Sequence, residues 1–179
     1  MIVVAFPGQG AQKLGMATNL SPNQLAAFNK AGEILGYDLI KLCNEGPFEK
    51  LSQTQFTQPA LLVTCISYWF EISSNTRVEY FAGHSLGQIT ALVASGAIDF
   101  EDGVKIAAKR GQLMSQEAKG GMVALLGLEL PQIEELVTAA KSFGTINVAN
   151  YNSPSQYVIS GEAKALEYVA QQGLTMGAK

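Results

Sequence analysis

A serine lies between two glycines in Gly83-His84-Ser85-Leu86-Gly87, just after an apolar run at residues 78–82 and just before a helix-like segment. That is the pattern of a nucleophile elbow. A strand that turns sharply into a helix holds the residue at its tip in a strained backbone conformation with Oγ exposed, and the crowding requires small residues two positions before and after. The helix N-terminus beneath adds a positive dipole and N–H groups without intrahelical partners. The five residues alone are weak evidence, since about one chain in ten of this length and glycine content has such a match by chance. A plain strand-to-helix turn has the same appearance.

Other residues with chemical potential are few. Pro7-Gly8-Gln9-Gly10-Ala11-Gln12 follows the apolar run at residues 2–6; such a glycine-rich loop lets backbone approach a ligand closely, or is merely a turn. It lacks both the Gly-Lys-Ser/Thr ending and the Gly-x-Gly-x-x-Gly spacing, so a nucleotide phosphate cradle is not expected. Arg110, near Lys105 and Lys109, reads from pattern alone as a solvated arginine. His84 is the sole histidine, which argues against a zinc cluster, and no metal is expected. Cys43 and Cys65 lie far apart in apolar helical contexts that suit buried thiols better than a disulfide.

The elements that must position these groups follow from the apolar pattern. Residues 2–6 read as a central strand buried on both faces of a parallel sheet. Ser21-Pro22-Asn23-Gln24 opens a helix with a capping box, and Leu25, Phe28, Ile34 and Leu35 mark its buried face before Gly36 ends it. A short helix is expected over residues 38–43. Another opens at Thr57-Gln58-Pro59; Leu61, Leu62, Val63, Ile66, Tyr68, Trp69 and Phe70 make it apolar on nearly every side, so it should be packed between elements. Helices over residues 86–95 and from Asp99 to about residue 117 follow the elbow. After Gly120-Gly121 the order becomes strand (122–126), helix (131–142), strand (145–150), a turn at 152–155, strand (156–160) and helix (163–171). This βαββα order is one strand short of the ferredoxin-like unit.

At 179 residues and 47% hydrophobic, the chain can bury a substantial core as one domain, with or without a small appendage. Charged residues make up 15% and the net charge is −3, which gives no footprint for nucleic acid or an anionic membrane surface. No signal-peptide pattern opens the chain, and the apolar stretch at residues 60–72 is too short to span a bilayer. A cytoplasmic protein is expected.

Several separated segments together resemble one family. Phe6-Pro7-Gly8-Gln9-Gly10-Ala11-Gln12, Thr57-Gln58-Pro59-Ala60, the elbow, Lys109-Arg110-Gly111, Gly121-Met122-Val123-Ala124 and Asn150-Tyr151-Asn152-Ser153-Pro154 resemble, in order and spacing, the malonyl-CoA:acyl-carrier-protein transacylases. Residues 51–59 and 152–156 look most like the members that serve polyketide synthases in trans, with the fatty-acid-synthesis enzyme close. The resemblance implies an α/β fold: an α/β-hydrolase-like large subdomain, partial here and covering residues 1–120, with an inserted ferredoxin-like α+β subdomain, lacking its last strand, at residues 121–179. It implies transfer of a malonyl group from malonyl-CoA, through an acyl-serine, to the phosphopantetheine thiol of an acyl carrier protein. Ser85 would be the nucleophile, and the backbone N–H groups of Gln9 and Leu86 the oxyanion hole. Arg110 would hold the malonyl carboxylate, reversing its reading from pattern alone, with Gln58 and Asn152 lining the pocket. No bound cofactor is implied, and the family suggests a monomer.

Two departures accompany the resemblance. The family usually has glutamate after the second elbow glycine, where this chain has Gln88. Its catalytic histidine would fall beyond Lys179, and His84, adjacent to the nucleophile, should point elsewhere and pack or hydrogen-bond beneath the turn. A polypeptide ending at Lys179 would be expected to turn over slowly and to expose apolar faces and strand edges. A thioester hydrolase of the same fold, or a catalytically incomplete fragment that binds a carrier protein, remain as alternatives.

Overall fold

The computed structural model describes residues 1–75, 77–116 and 120–179. The chain divides into two compact units, Met1–Gln116 and Glu117–Lys179. In the first, β1 (Val3–Phe6) and β2 (Tyr80–Gly83) pair in parallel, with Val3 opposite Tyr80 and Phe6 opposite Gly83. This register brings the two strands to an end at the same level. The loop after β1 and the elbow after β2 therefore emerge side by side, tied by a 3.0 Å hydrogen bond from the His84 N–H to the Phe6 carbonyl.

The expected burial of residues 2–6 on both faces is not observed. Ile2 is 47% and Val3 51% exposed, because among the described residues β1 lies in a two-stranded sheet with β2 as its neighbour. Phe6, at the loop end of the strand, is buried.

The helices of this unit are α1 (Pro22–Leu35), α2 (Leu39–Glu45), α3 (Phe48–Leu51), α4 (Thr54–Ser73), α5 (Leu86–Ala94) and α6 (Phe100–Gln116). Ser21 caps α1 through a reciprocal capping box with Gln24, an arrangement that contributes about 1 kcal/mol. Gln24, Phe28 and Ala31 share the inward face at helical spacing, which leaves Leu25, one residue round the helix, 42% exposed rather than buried. Asp38 caps α2 by accepting from the Lys41 N–H. The expected end of α6 near residue 117 lies outside the described residues.

The central element is α4, against which α1, α5 and α6 pack. Leu61, Leu62, Val63, Ile66 and Trp69 are buried along it, each side chain of that size contributing about 1.5–3 kcal/mol through burial. Tyr68 and Phe70 are exposed, so the all-round burial expected of this helix fails in its second half, where its neighbours cover one side. It also starts one turn earlier than the Thr57-Gln58-Pro59 signal. Thr57 lies within the helix, where its hydroxyl donates back to the Leu51 and Gln53 carbonyls, and Pro59 is tolerated inside the helix. The earlier start places Thr54 and Gln58 one above the other on one face.

The second unit is a three-stranded antiparallel sheet in the order β3-β5-β4. Its elements are β3 (Gly120–Leu126), α7 (Leu130–Ala140), a 3-10 turn (Lys141–Phe143), β4 (Ile146–Ser153), β5 (Gln156–Glu162) and α8 (Ala163–Thr175). This is the βαββα order read from the sequence. Leu125, Ile133, Ile146, Tyr157, Ile159 and Val169 join its buried core. The expected turn at 152–155 is shorter, because β4 absorbs Asn152 and Ser153 through a register shift between Tyr151 and Ser153. At the outer edge of β3, Lys179 exchanges both backbone hydrogen bonds with Leu126, at 2.9 and 3.0 Å.

Candidate active site

The elbow depends on the absence of side chains at its glycines. A Cβ on Gly83 would lie 1.9 Å from the Gly87 carbonyl carbon, and one on Gly87 would lie 2.2 Å from the Phe6 carbonyl oxygen. With backbone packed that closely, β2 can turn directly into α5. Ser85, the residue before α5, takes φ 52° and ψ −106°, a costly conformation for a residue with a Cβ. Leu86 is the first residue of α5, so its N–H has no acceptor within the helix. The neighbouring loop is pressed against this turn: a Cβ on Gly8 would lie 2.8 Å from both His84 Nδ1 and the His84 carbonyl oxygen. His84 thus lies alongside the Gly8 backbone and is exposed.

A chain of hydrogen bonds runs from this serine across α6 and α4 to the β1 loop. Arg110 Nη2 donates to Ser85 Oγ at 3.0 Å, and Nη1 donates to Gln58 Oε1 at 2.7 Å. Gln58 Nε2 donates to Thr54 Oγ1 at 2.8 Å, and the Thr54 hydroxyl donates to Gln9 Oε1 at 2.9 Å. Gln58 is fully buried, whereas Arg110 and Ser85 are half-buried. Arg110 reaches this position because Gly111 lets α6 approach the first turn of α4. A Cβ there would stand 2.7 Å from the Thr54 carbonyl oxygen.

The electrostatics of the group are one-sided. Among the described residues no carboxylate pairs with Arg110, and the ion pairs Lys30–Glu101 and Lys105–Asp102 lie elsewhere. The guanidinium donates to two neutral oxygens, of Gln58 and Ser85, which fix its orientation without neutralising it. An anion arriving beside Ser85 would meet a preorganised planar cation, suited to the parallel hydrogen bonds a carboxylate accepts.

Ser85, Leu86, Gln9, Gln58 and Arg110 are thus gathered around one elbow in the first unit. Asn152 lies on β4 of the second unit, in the irregular stretch of that strand. Thr54 joins the network without having been singled out in the sequence. Its signal was the spacing of four to Gln58, legible only if α4 is taken to begin before Thr57. Among the described residues no group of three or more metal-binding side chains occurs, and no helix is long and apolar enough to cross a membrane.

A strained serine at a strand-to-helix elbow, backed by a helix N-terminus and an oriented guanidinium, is the site that this α/β chain builds. Residues 3–177 match the acyl transferase domain family, and the chain belongs to it. It is 44% identical over 169 residues to the polyketide biosynthesis malonyl CoA-acyl carrier protein transacylase BaeC of Bacillus velezensis, a match covering 93% of this chain and 58% of that protein. Identity to the malonyl CoA-acyl carrier protein transacylase of Haemophilus influenzae is 40%, over 98% of this chain and 59% of that one. The solved malonyl CoA-acyl carrier protein transacylase of Coxiella burnetii superposes with a TM-score of 0.91 at 42% identity, covering 99% of this chain and 58% of that structure. The chain therefore spans less than two thirds of the length of these relatives.

Proposed function

We propose that this chain carries the acyl-serine centre of a malonyltransferase, which takes malonyl from malonyl-CoA and delivers it to the phosphopantetheine thiol of an acyl carrier protein in polyketide or fatty-acid synthesis. The observation that carries the reading is Arg110 Nη2 at 3.0 Å from Ser85 Oγ. One methylene separates the malonyl carboxylate from its thioester carbonyl. A guanidinium that selects this acyl group must therefore stand beside the nucleophile.

In the proposed reaction Ser85 Oγ bonds to the thioester carbonyl carbon and gives up its proton to a base, while the carbonyl electrons move onto oxygen. The backbone N–H groups of Leu86 and Gln9 stabilise that oxyanion; a preorganised donor of this kind is worth about 3 kcal/mol in a dry site. Collapse breaks the carbon–sulfur bond, and coenzyme A leaves as a thiolate that takes up a proton. The carrier thiol then attacks the serine ester, and Ser85 regains its proton as it leaves. The resemblance puts the base in the part of the relatives' length beyond this chain's match. Asn152 is kept as a candidate pocket residue on the resemblance alone. The reading needs no bound cofactor and implies a cytoplasmic protein.

Intact mass before and after incubation with malonyl-CoA tests it. A malonyl adduct on Ser85, absent in Ser85→Ala and transferable to a carrier-protein thiol, is expected. An unmodified chain overturns the reading, and an adduct released only to water replaces it with a thioester hydrolase.

A further inference from the structure

We infer that Thr54 is a positioning residue that couples the carboxylate clamp to the oxyanion loop, an inference that rests on the acyl-transfer reading of the site. The polarity of the network dictates its part. A guanidinium has donors only, so Arg110 forces Gln58 to turn its carbonyl oxygen toward Nη1. Gln58 Nε2 must then face Thr54, whose oxygen accepts at 2.8 Å. With its oxygen receiving that donor, the hydroxyl directs its own hydrogen to Gln9 Oε1 at 2.9 Å. The direction of every bond is set by the one before it; Gln58 and the Thr54 hydroxyl each turn an accepted hydrogen bond into a donated one, and the hydroxyl is the link that hands the relay on to Gln9.

The two ends of this relay carry different duties. Gln9 belongs to the loop after β1, which Gly8 holds against the elbow and whose Gln9 amide is the proposed oxyanion donor. Arg110 holds the acyl carboxylate. Both must be placed correctly about one malonyl group, yet they come from segments about a hundred residues apart in sequence. Thr54 is bonded to both Gln9 and Gln58, and it sits on the first turn of α4, where Gly111 also brings α6 into backbone contact. Without the hydroxyl, Gln9 loses this anchor, and Gln58 Nε2 loses its 2.8 Å partner and is left with the 3.3 Å bond to Met114 Sδ, so the amide that Arg110 orients is held less firmly.

Thr54→Val removes the hydroxyl at constant shape, and Thr54→Ser retains it. Two readouts on the full chain test the inference. In the first, Ser85 acylation by malonyl-CoA is followed by intact mass against acetyl-CoA. Thr54→Val is expected to slow malonylation about tenfold and to narrow the malonyl preference, while Thr54→Ser stays within about twofold of the parent. In the second, the Gln9 backbone amide and the Arg110 guanidinium are followed by NMR; both signals move in Thr54→Val and return in Thr54→Ser. Unmoved signals in Thr54→Val overturn the inference, as does a Thr54→Ser variant as impaired as Thr54→Val. If the parent takes no malonyl group, the acyl-transfer reading falls, and the NMR comparison still decides whether Thr54 couples the two ends.

Discussion

Arg110 and Ser85 are joined by a 3.0 Å hydrogen bond between side chains that the sequence separates by 25 residues. The serine oxygen accepts, so its own proton stays available for transfer, and a full positive charge stands beside the site where negative charge would develop. The same charge lies within reach of a second negative group on the acyl chain. In the proposed reaction one guanidinium would serve both selectivity and activation.

Arg110→Ala is expected to lower Ser85 malonylation by about tenfold to a hundredfold while affecting acetylation much less, the loss matching one charge-assisted interaction. Arg110→Lys should restore only part of it, because an ammonium cannot make two parallel hydrogen bonds. Rates of adduct formation with the two donors measure the effect. An unchanged preference would show that the clamp lies elsewhere.

Gly83→Ala and Gly87→Ala should destabilise the first unit by about 2–4 kcal/mol each, since the added Cβ meets backbone atoms at 1.9 and 2.2 Å and neither can yield by side-chain rotation. Urea denaturation read through Trp69 fluorescence checks this. Trp69 is buried and donates to the Ala94 carbonyl at the end of α5, so it reports on the helix that the elbow launches.

Burial pushes the Cys43 thiol up to about 12 and the Cys65 thiol up to about 11. Near pH 8 both should react with a disulfide reagent at least about a hundredfold more slowly than in the unfolded chain, where the thiolate fraction is ordinary. Absorbance with and without denaturant measures the ratio. Rapid labelling of the folded chain would contradict it.

The backbone N–H of Thr145 donates to Glu162 at 3.0 Å and holds its carboxyl below the ordinary value of 4.5. A carboxyl lowered in the folded state stabilises above its unfolded value and loses that contribution as pH falls through the folded one. Glu162→Gln should therefore flatten the acid side of the stability profile of the second unit below about pH 4.5, measured by thermal melts across pH. A profile unchanged by the substitution would remove Glu162 from the account of acid sensitivity.

Much of the architecture was legible in the chain. The cap at Ser21, the glycine stops at Gly36 and Gly96, and the βαββα order after Gly120 are local features, set by hydrogen bonds and backbone freedom within a few residues, and they stand where the pattern put them. Burial was less legible, because it depends on neighbours. Val3 and Leu25 are apolar in apolar surroundings, yet one lies on a strand with a single partner and the other falls one position off the inward face.

Gly83-His84-Ser85-Leu86-Gly87 by itself determined a tight strand-to-helix turn, because backbone contact at both glycines leaves no room for anything larger. What the turn presents its serine to was a tertiary matter. Arg110 sits among lysines in the sequence and reads from pattern as solvated; only the packing of α6 on α4 at Gly111 swings it to Ser85 and Gln58. Thr54 was invisible until the true start of α4 set it one turn before Gln58 and within 2.9 Å of Gln9. Spacing along a chain sets local geometry. Which donor meets which acceptor across three elements is decided only when their backbones pack.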